Sequence, residues 1–164
     1  MMNVLKQIFS FILPVTVLVI IPLWIEKNWV VHVSFHLFAG LILILLGLII
    51  MAVTISSFIR IGKGTLAPWS PPKKFVIKGL YRYVRNPMII GVLTVLLGES
   101  LGIWSKNILI WAGEFFIINI IYFLLYEEPN LERRFGEEYR KYKKHVSMWL
   151  PRLTPYHRDQ IKEQ

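Results

Sequence analysis

Long uncharged runs dominate the first part of the chain. No Asp, Glu, Lys or Arg occurs between Lys27 and Arg60, and residues 35–59 within that gap are almost wholly apolar. A helix of about 20 apolar residues crosses the ~30 Å hydrocarbon core of a bilayer, so this run predicts a transmembrane helix. A second uncharged run predicts another span over residues 7–25, with two prolines of the kind that membrane helices tolerate.

Two shorter apolar runs follow, and each contains one acidic residue. Residues 88–104 include Glu99, residues 108–126 include Glu114, and only three residues separate the runs. They predict two spans joined as a tight helical hairpin. Acids inside a membrane are candidates for function, but a structural hydrogen bond within the hairpin explains them equally well. We therefore assign neither acid to chemistry.

The four runs predict one all-α polytopic membrane domain over residues 1–164, with four transmembrane helices. A loop over residues 60–87 and a tail over residues 127–164 are expected outside the bilayer. The loop holds seven Lys or Arg and no acid. Short basic loops stay in the cytoplasm, so both termini are predicted to be cytoplasmic. No small-residue cleavage site follows the first run, which is expected to be an anchor and not a removed signal peptide.

The composition supports a membrane protein. Hydrophobic residues make up 55% of the 164 residues and charged residues 18%, which excludes an ordinary soluble domain. The absence of cysteine excludes disulfides and thiolate metal sites. The basic residues behind the net charge of +9 flank the apolar runs, so we predict anionic lipid headgroups as partners and no nucleic acid. His32 and His36 are expected at the outer interface, and no metal site is predicted.

The tail has the pattern of an amphipathic helix that begins near Pro129, a residue favoured at the first helical position. Its apolar face recurs at steps of 4, 4, 3 and 4 and consists of Leu131, Phe135, Tyr139, Tyr142 and Val146. Such a helix lies on a membrane surface or packs on the protein's own loop. Gly136 is expected to interrupt it, and the residues after Pro155 are expected to fray.

Two motifs predict a binding pocket where the hairpin opens. Asn86 and Pro87 suit the N-cap and first position of the third span, which exposes anion-binding N–H groups, although a helix start alone needs the same residues. Glu127 and Glu128 end the fourth span, where the helix dipole disfavours acids. We expect a basic partner such as Arg85, a cationic ligand, or membership of the next helix. The predicted aromatic wall consists of Tyr81, Tyr83 and Trp69.

These residues resemble a known superfamily. The block KGLYRYVRNPMIIG and the later block EEPNLERRFGEEYRKYKKHVSMWLPRL are similar to the integral membrane isoprenylcysteine carboxyl methyltransferases and phospholipid methyltransferases. The resemblance covers residues 62–153. It implies methyl transfer from S-adenosylmethionine, bound at the cytoplasmic ends of the last spans, to a lipophilic or membrane-embedded acceptor.

The resemblance also implies site residues. Cofactor contacts are implied for Gly62, Gly64, Phe75, Val76, Tyr81, Asn86, Pro87, Met88, Ile89 and Glu127. Glu128 would support Glu127, and the candidate catalytic groups are Arg85, Glu127 and Glu128, none of them an obvious general base.

Three positions depart from the pattern. The superfamily's histidine is Asn86 here, its tyrosine is Ile89, and the substrate-contacting arginine of the prenylcysteine enzymes is Phe123. The last change removes the partner of a substrate carboxylate, which argues against a prenylcysteine product. A membrane reductase using a nicotinamide cofactor and a non-catalytic membrane scaffold are the alternative functions.

Overall fold

A computed structural model describes residues 12–57, 75 and 77–157, and all the regular elements within them are helical. The helices are α1 (Ile12–Ile25), α2 (Phe35–Ser57), α3 (Pro87–Gly102), α4 (Lys106–Tyr122) and α5 (Glu128–His145). A 3-10 turn over Gly79–Arg82 precedes α3. The predicted all-α class is therefore confirmed for the described part of the chain.

Two helical stretches of the described chain are long and apolar enough to cross a membrane. They are Phe35–Ser57 and the 40-residue stretch Lys106–His145, which contains α4. Helices α1 and α3 are apolar but shorter, and the 16 residues of α3 span only about 24 Å. The four-span arrangement remains a prediction. Residues 7–11 and 58–59 of the predicted spans lie outside the described residues.

Glycines bring α2 and α3 into backbone contact. A Cβ atom on Gly40 would lie 2.6 Å from the carbonyl oxygen of Gly98, and one on Gly47 would lie 2.7 Å from that of Gly91. In each helix the two glycines are seven residues apart, which places them on one face two turns from each other. Small residues at such positions let membrane helices approach closely, so this pair forms the centre of the fold.

Two wide helical turns accommodate prolines. A π turn over Thr16–Ile20 comes just before Pro22 in α1, and a second over Phe123–Glu127 comes just before Pro129. In both, the N–H that follows the turn donates to the carbonyl five residues earlier. Proline supplies no N–H and its ring crowds the preceding turn, which a wider turn relieves. The tail helix α5 begins at Glu128 with Pro129 in its first turn, as predicted, and the π turn joins it directly to α4.

One end of the bundle is closed by a polar group that we call the Glu26 cluster: Glu26, Asn28, Ser105 and Asn107. The Glu26 carboxylate accepts hydrogen bonds from the Ser105 hydroxyl, from the Asn28 N–H at 3.1 Å and from the Asn107 amide at 3.4 Å. Ser105 also caps α4 by accepting from the Ile108 N–H at 3.2 Å. These hydrogen bonds therefore connect the end of α1 to the turn between α3 and α4.

For Glu99 and Glu114, the structural hydrogen bond within the hairpin that the sequence allows is not present among the described residues. Glu114 is exposed on α4, while one carboxylate oxygen of Glu99 is buried with no hydrogen-bond partner among the described residues.

The tail helix packs on the protein itself. Tyr139, Tyr142 and Val146 are buried together with Tyr156, and Phe75 from the preceding loop packs against them. Gly136 interrupts the helix, as predicted, with φ of 53° and ψ of −129°. The prediction that the chain frays after Pro155 is wrong for Tyr156, whose side chain fills the interior. Residues 158–164 lie outside the described residues.

Candidate active site

The candidate site lies where the segment before α3 meets the junction of α4 and α5. Asn86 occupies the N-cap position of α3 and Pro87 its first turn, and both are buried. The Asn86 side chain makes no capping hydrogen bond. Asn86 therefore occupies the predicted N-cap position without capping the helix. Met88 and Ile89 follow in the first turn and are half-buried.

A buried ion pair joins this segment to the helix junction. The Glu128 side chain is 5% exposed, and its Oε1 accepts a hydrogen bond from Arg85 Nη1 at 2.5 Å. The same Arg85 nitrogen lies 3.4 Å from the Tyr139 hydroxyl oxygen. Arg85 is one of the partners that the sequence predicts for the glutamates, and this contact confirms that prediction. Removing one partner of a buried ion pair costs about 3–5 kcal/mol, so the contact fixes where α3 begins relative to α5.

Lys143 is a second cation that contacts Glu128, and no sequence pattern predicted it. Its Nζ lies 2.7 Å from Glu128 Oε2 and 3.1 Å from Glu132 Oε1. Fifteen residues separate Lys143 from Glu128, which is about 22 Å along a straight helix. The contact forms only because the chain turns at Gly136. In the sequence, Gly136 inside an amphipathic pattern indicated that the helix is interrupted. The spacing of apolar residues alone cannot give the direction in which the chain then turns.

Compared with Glu128, Glu127 has more unused capacity to accept hydrogen bonds. It is half-buried, and its Oε2 accepts a hydrogen bond from the Tyr122 hydroxyl at 3.2 Å. Burial, and after it the negative charge of Glu127, raises the pKa of Tyr81 above its ordinary value. Tyr81 therefore stays neutral, and the electrostatic effect shows that these two predicted residues lie near each other.

Phe75 belongs to an aromatic cluster. Its ring stacks on Phe135 at 5.1 Å between centroids and meets Tyr142 edge-on at 5.1 Å. The Tyr142 hydroxyl donates to the Tyr81 carbonyl at 2.6 Å. These contacts place the loop residue Phe75 and the 3-10 turn against the second half of α5.

Backbone hydrogen bonds also join the C-terminal segment to residues 82–85, just before α3. The Arg85 N–H donates to the Ser147 carbonyl, and the Tyr156 N–H donates to the Arg82 carbonyl, each at 2.9 Å. The Arg152 N–H donates to the Tyr83 carbonyl at 2.9 Å. No pattern in the sequence indicated these contacts, because backbone pairing between irregular segments carries no side-chain signature.

The structure brings most of the predicted residues together. Tyr81, Arg85, Asn86, Glu127 and Glu128 meet around the helix junction, whereas Gly62, Gly64, Val76 and Trp69 lie outside the described residues. Within the described ranges no group of three or more His, Cys, Asp or Glu side chains is arranged to hold a metal ion.

Comparison with known proteins decides the family. The model of the phospholipid methyltransferase family matches residues 35–138, well over half of the chain. The chain belongs to the phospholipid methyltransferase family. The match runs from the start of α2 through Arg85, Glu127 and Glu128 and ends just before Tyr139. Family membership confirms the resemblance to integral membrane methyltransferases, and the apolar helices agree with a membrane protein.

A relative from Haemophilus influenzae, described as an uncharacterized protein, is 40% identical over 65 residues. The aligned part is 38% of this chain and 100% of the relative. No solved structure matches the chain.

Proposed function

We propose that this protein transfers a methyl group from S-adenosylmethionine to a lipophilic acceptor, and that the donor is held at the junction around Glu127. Its family indicates membrane methyltransferase activity. The observation that carries the site is the contrast between adjacent glutamates: both oxygens of Glu128 face cations, while Glu127 is half-buried and bonded to one tyrosine. Glu127 is the carboxylate that can still accept hydrogen bonds from a ligand.

The donor set fits an amino-acid-like sulfonium compound. A carboxylate at Glu127 suits an ammonium group or ribose hydroxyls. The start of α3 offers backbone N–H groups and a partial positive charge, which suit a carboxylate. Arg85 Nε is buried and has no hydrogen-bond partner in the described chain, so a donor for an anionic group remains unused there. Tyr81 adds a neutral aromatic face beside Glu127.

When bound, S-adenosylmethionine supplies a methyl group on a sulfonium centre, which is already an excellent leaving group. The protein's residues then have to hold, orient and shield the reactants, and such positioning contributes roughly 7–11 kcal/mol to lowering a barrier. Glu127 and the start of α3 would orient the donor, while Arg85 and Glu128 keep the two helix ends in place. Of the three candidate catalytic groups, Glu127 is the carboxylate that forms no ion pair in the described chain, whereas two cations contact Glu128 and Arg85 is itself a cation.

The membrane arrangement is part of the proposal. Four spans with both termini in the cytoplasm agree with the basic loop of residues 60–87 and with the exposed basic side chains of α5, among them Arg133, Arg134, Arg140 and Lys144. These side chains would face anionic headgroups. The acceptor would reach Glu127 from the bilayer.

Glu127→Gln tests the site. It should weaken binding of S-adenosylhomocysteine by about 1–3 kcal/mol, because it removes a charged acceptor, and leave the thermal unfolding midpoint nearly unchanged. Isothermal titration calorimetry on the purified full chain in detergent measures the affinity. Glu137→Gln is the matched control, since Glu137 is exposed and contacts only Arg140 among the described ion pairs.

Equal affinity of the Glu127→Gln variant and the parent protein would place the site elsewhere. Binding of NADPH without binding of S-adenosylhomocysteine would instead identify a reductase. Heat from neither ligand would point to a scaffold without activity.

A further inference from the structure

A groove near the first residues of α4 contains two charged side chains that the proposed methyl transfer does not use. Glu114 of α4 and Lys27, just after α1, both line it. Its volume of about 460 Å³ is within the range of roughly 300–1,000 Å³ that ligand sites occupy. Thirteen residues separate Glu114 from Glu127, about 20 Å along the helix. The groove is therefore distinct from the proposed methyl-donor site.

The two charges have no protein counterions in the described chain. None of its ion pairs or side-chain hydrogen bonds includes Glu114 or the Lys27 side chain. Glu114 lies on α4 within a predicted span, and a carboxylate at that depth is unfavourable without a partner. A ligand that brings a cation to Glu114 and an anion to Lys27 would complement both.

Indole rings line the same groove. Trp24 is 79% exposed, and the Trp111 Nε1–H donates to the Val17 carbonyl at 3.1 Å, which ties this ring to α1. Indole faces attract ammonium groups, and a carboxylate beside them adds a charge of the right sign. A carboxylate and two indole rings that line one groove therefore suit an ammonium group.

The remaining surroundings are apolar. Ile25 and Ile110 line the groove, and the neighbouring helix surfaces carry further exposed apolar side chains, among them Leu23, Leu109, Ile117 and Ile121. A water-soluble amine would leave these surfaces uncovered, whereas the acyl chains of a lipid would cover them. The occupant is therefore an amphiphile.

The geometry points to a second lipid site: the groove binds a zwitterionic membrane phospholipid, with its ammonium group at Glu114 between the tryptophans and its phosphate near Lys27. This site is separate from methyl transfer and does not rest on the function proposed above. It would hold a lipid at the end of the bundle where the Glu26 cluster joins α1 to the hairpin.

The test is native mass spectrometry of the purified full chain, titrated in detergent with phosphatidylethanolamine or with phosphatidylglycerol. Glu114→Gln should lower the ratio of phosphatidylethanolamine to phosphatidylglycerol binding about fivefold, because it removes the charge that selects an ammonium. Comparing this ratio between the variant and the parent protein controls for lipid bound at the basic surface of α5, which is the same in both proteins. Glu137→Gln, an exposed acid far along the chain, should leave the ratio unchanged.

An unchanged ratio in Glu114→Gln overturns the proposal. Displacement of the lipid by soluble phosphoethanolamine at equal concentration also overturns it, because the ligand would then be a free headgroup and not a membrane lipid. S-adenosylhomocysteine affinity is measured on the same preparations. It should be equal in Glu114→Gln and the parent protein, so failure of the lipid site and failure of the methyl-donor site give different results.

Discussion

Two buried carboxylates lie at opposite ends of the helices, and their partners differ in kind. Glu26 follows α1 and is 8% exposed, and Glu128 follows α4 and is 4% exposed. Each lies near a proline and a π turn. Neutral donors surround Glu26, namely a hydroxyl, an amide and a backbone N–H. Two cations surround Glu128.

This difference distinguishes the Glu26 cluster, which is a structural contact, from the Glu128 group, which belongs to a candidate binding site. The Glu26 cluster lies within a few residues of one helix end and one turn, and both carboxylate oxygens of Glu26 accept hydrogen bonds from neutral groups. The Glu128 group joins three distant segments of chain and leaves the adjacent Glu127 and the Arg85 Nε available. A polar group that uses all its hydrogen-bonding capacity holds structure together, whereas unused capacity beside it allows ligand binding.

The largest expected effect comes from replacing each of the two carboxylates, Glu26 and Glu128, by its amide. Glu128→Gln should lower the free energy of unfolding by about 3–5 kcal/mol, because it leaves the largely buried Arg85 guanidinium beside a neutral group. Glu26→Gln should cost much less, because a glutamine carbonyl still accepts hydrogen bonds from neutral donors. Denaturation midpoints in detergent micelles measure both. Equal losses would mean that the two carboxylates have the same structural role.

Gly136→Ala tests the chain reversal that brings Lys143 to Glu128. Gly136→Ala should cost about 1–3 kcal/mol, because an L side chain strains the backbone at a φ of 53°. Gly113→Ala is the matched control, since an added Cβ meets nothing within 4 Å at either glycine and only Gly136 has the unusual φ. Thermal unfolding in detergent compares them, and a loss in the control as large as in Gly136→Ala would contradict the backbone argument.

The smallest expected effect is on pH dependence. The Ser105 hydroxyl, followed by the Asn28 N–H, lowers the pKa of Glu26 below its ordinary value. A lowered folded pKa gives a stabilising contribution that is complete above the unfolded pKa of about 4.3 and disappears as the pH falls through the folded value. The unfolding midpoint of the parent protein relative to Glu26→Gln should therefore decrease between pH 5 and pH 3. A difference independent of pH would show that the charge on Glu26 does not matter.

Much of the architecture could be read from apolar run lengths. The run at residues 35–59 gave a helix whose described part ends at Ser57, and the run at residues 88–104 gave α3 to within two residues at each end. Such runs are informative because a helix in lipid must be apolar over a fixed length. The predicted start of the tail helix near Pro129 was confirmed, because α5 begins at Glu128 with Pro129 in its first turn, and a π turn joins it to α4.

The candidate site was predictable in part. Arg85, Glu127 and Glu128 could be brought together because the hairpin places the start of α3 and the end of α4 on the same side. Lys143 and Tyr156 could not, since both reach the site through the reversal at Gly136 and through backbone bonds that leave no pattern in the sequence.

The sequence by itself determined the class of protein, the apolar helices, the hairpin and the family, because these depend on composition, run length and short motifs. Only the tertiary structure decided which glutamate is held by cations and which remains available. The physical reason is that a carboxylate's role depends on its neighbours within a few ångströms, and those neighbours come from segments far apart in the chain.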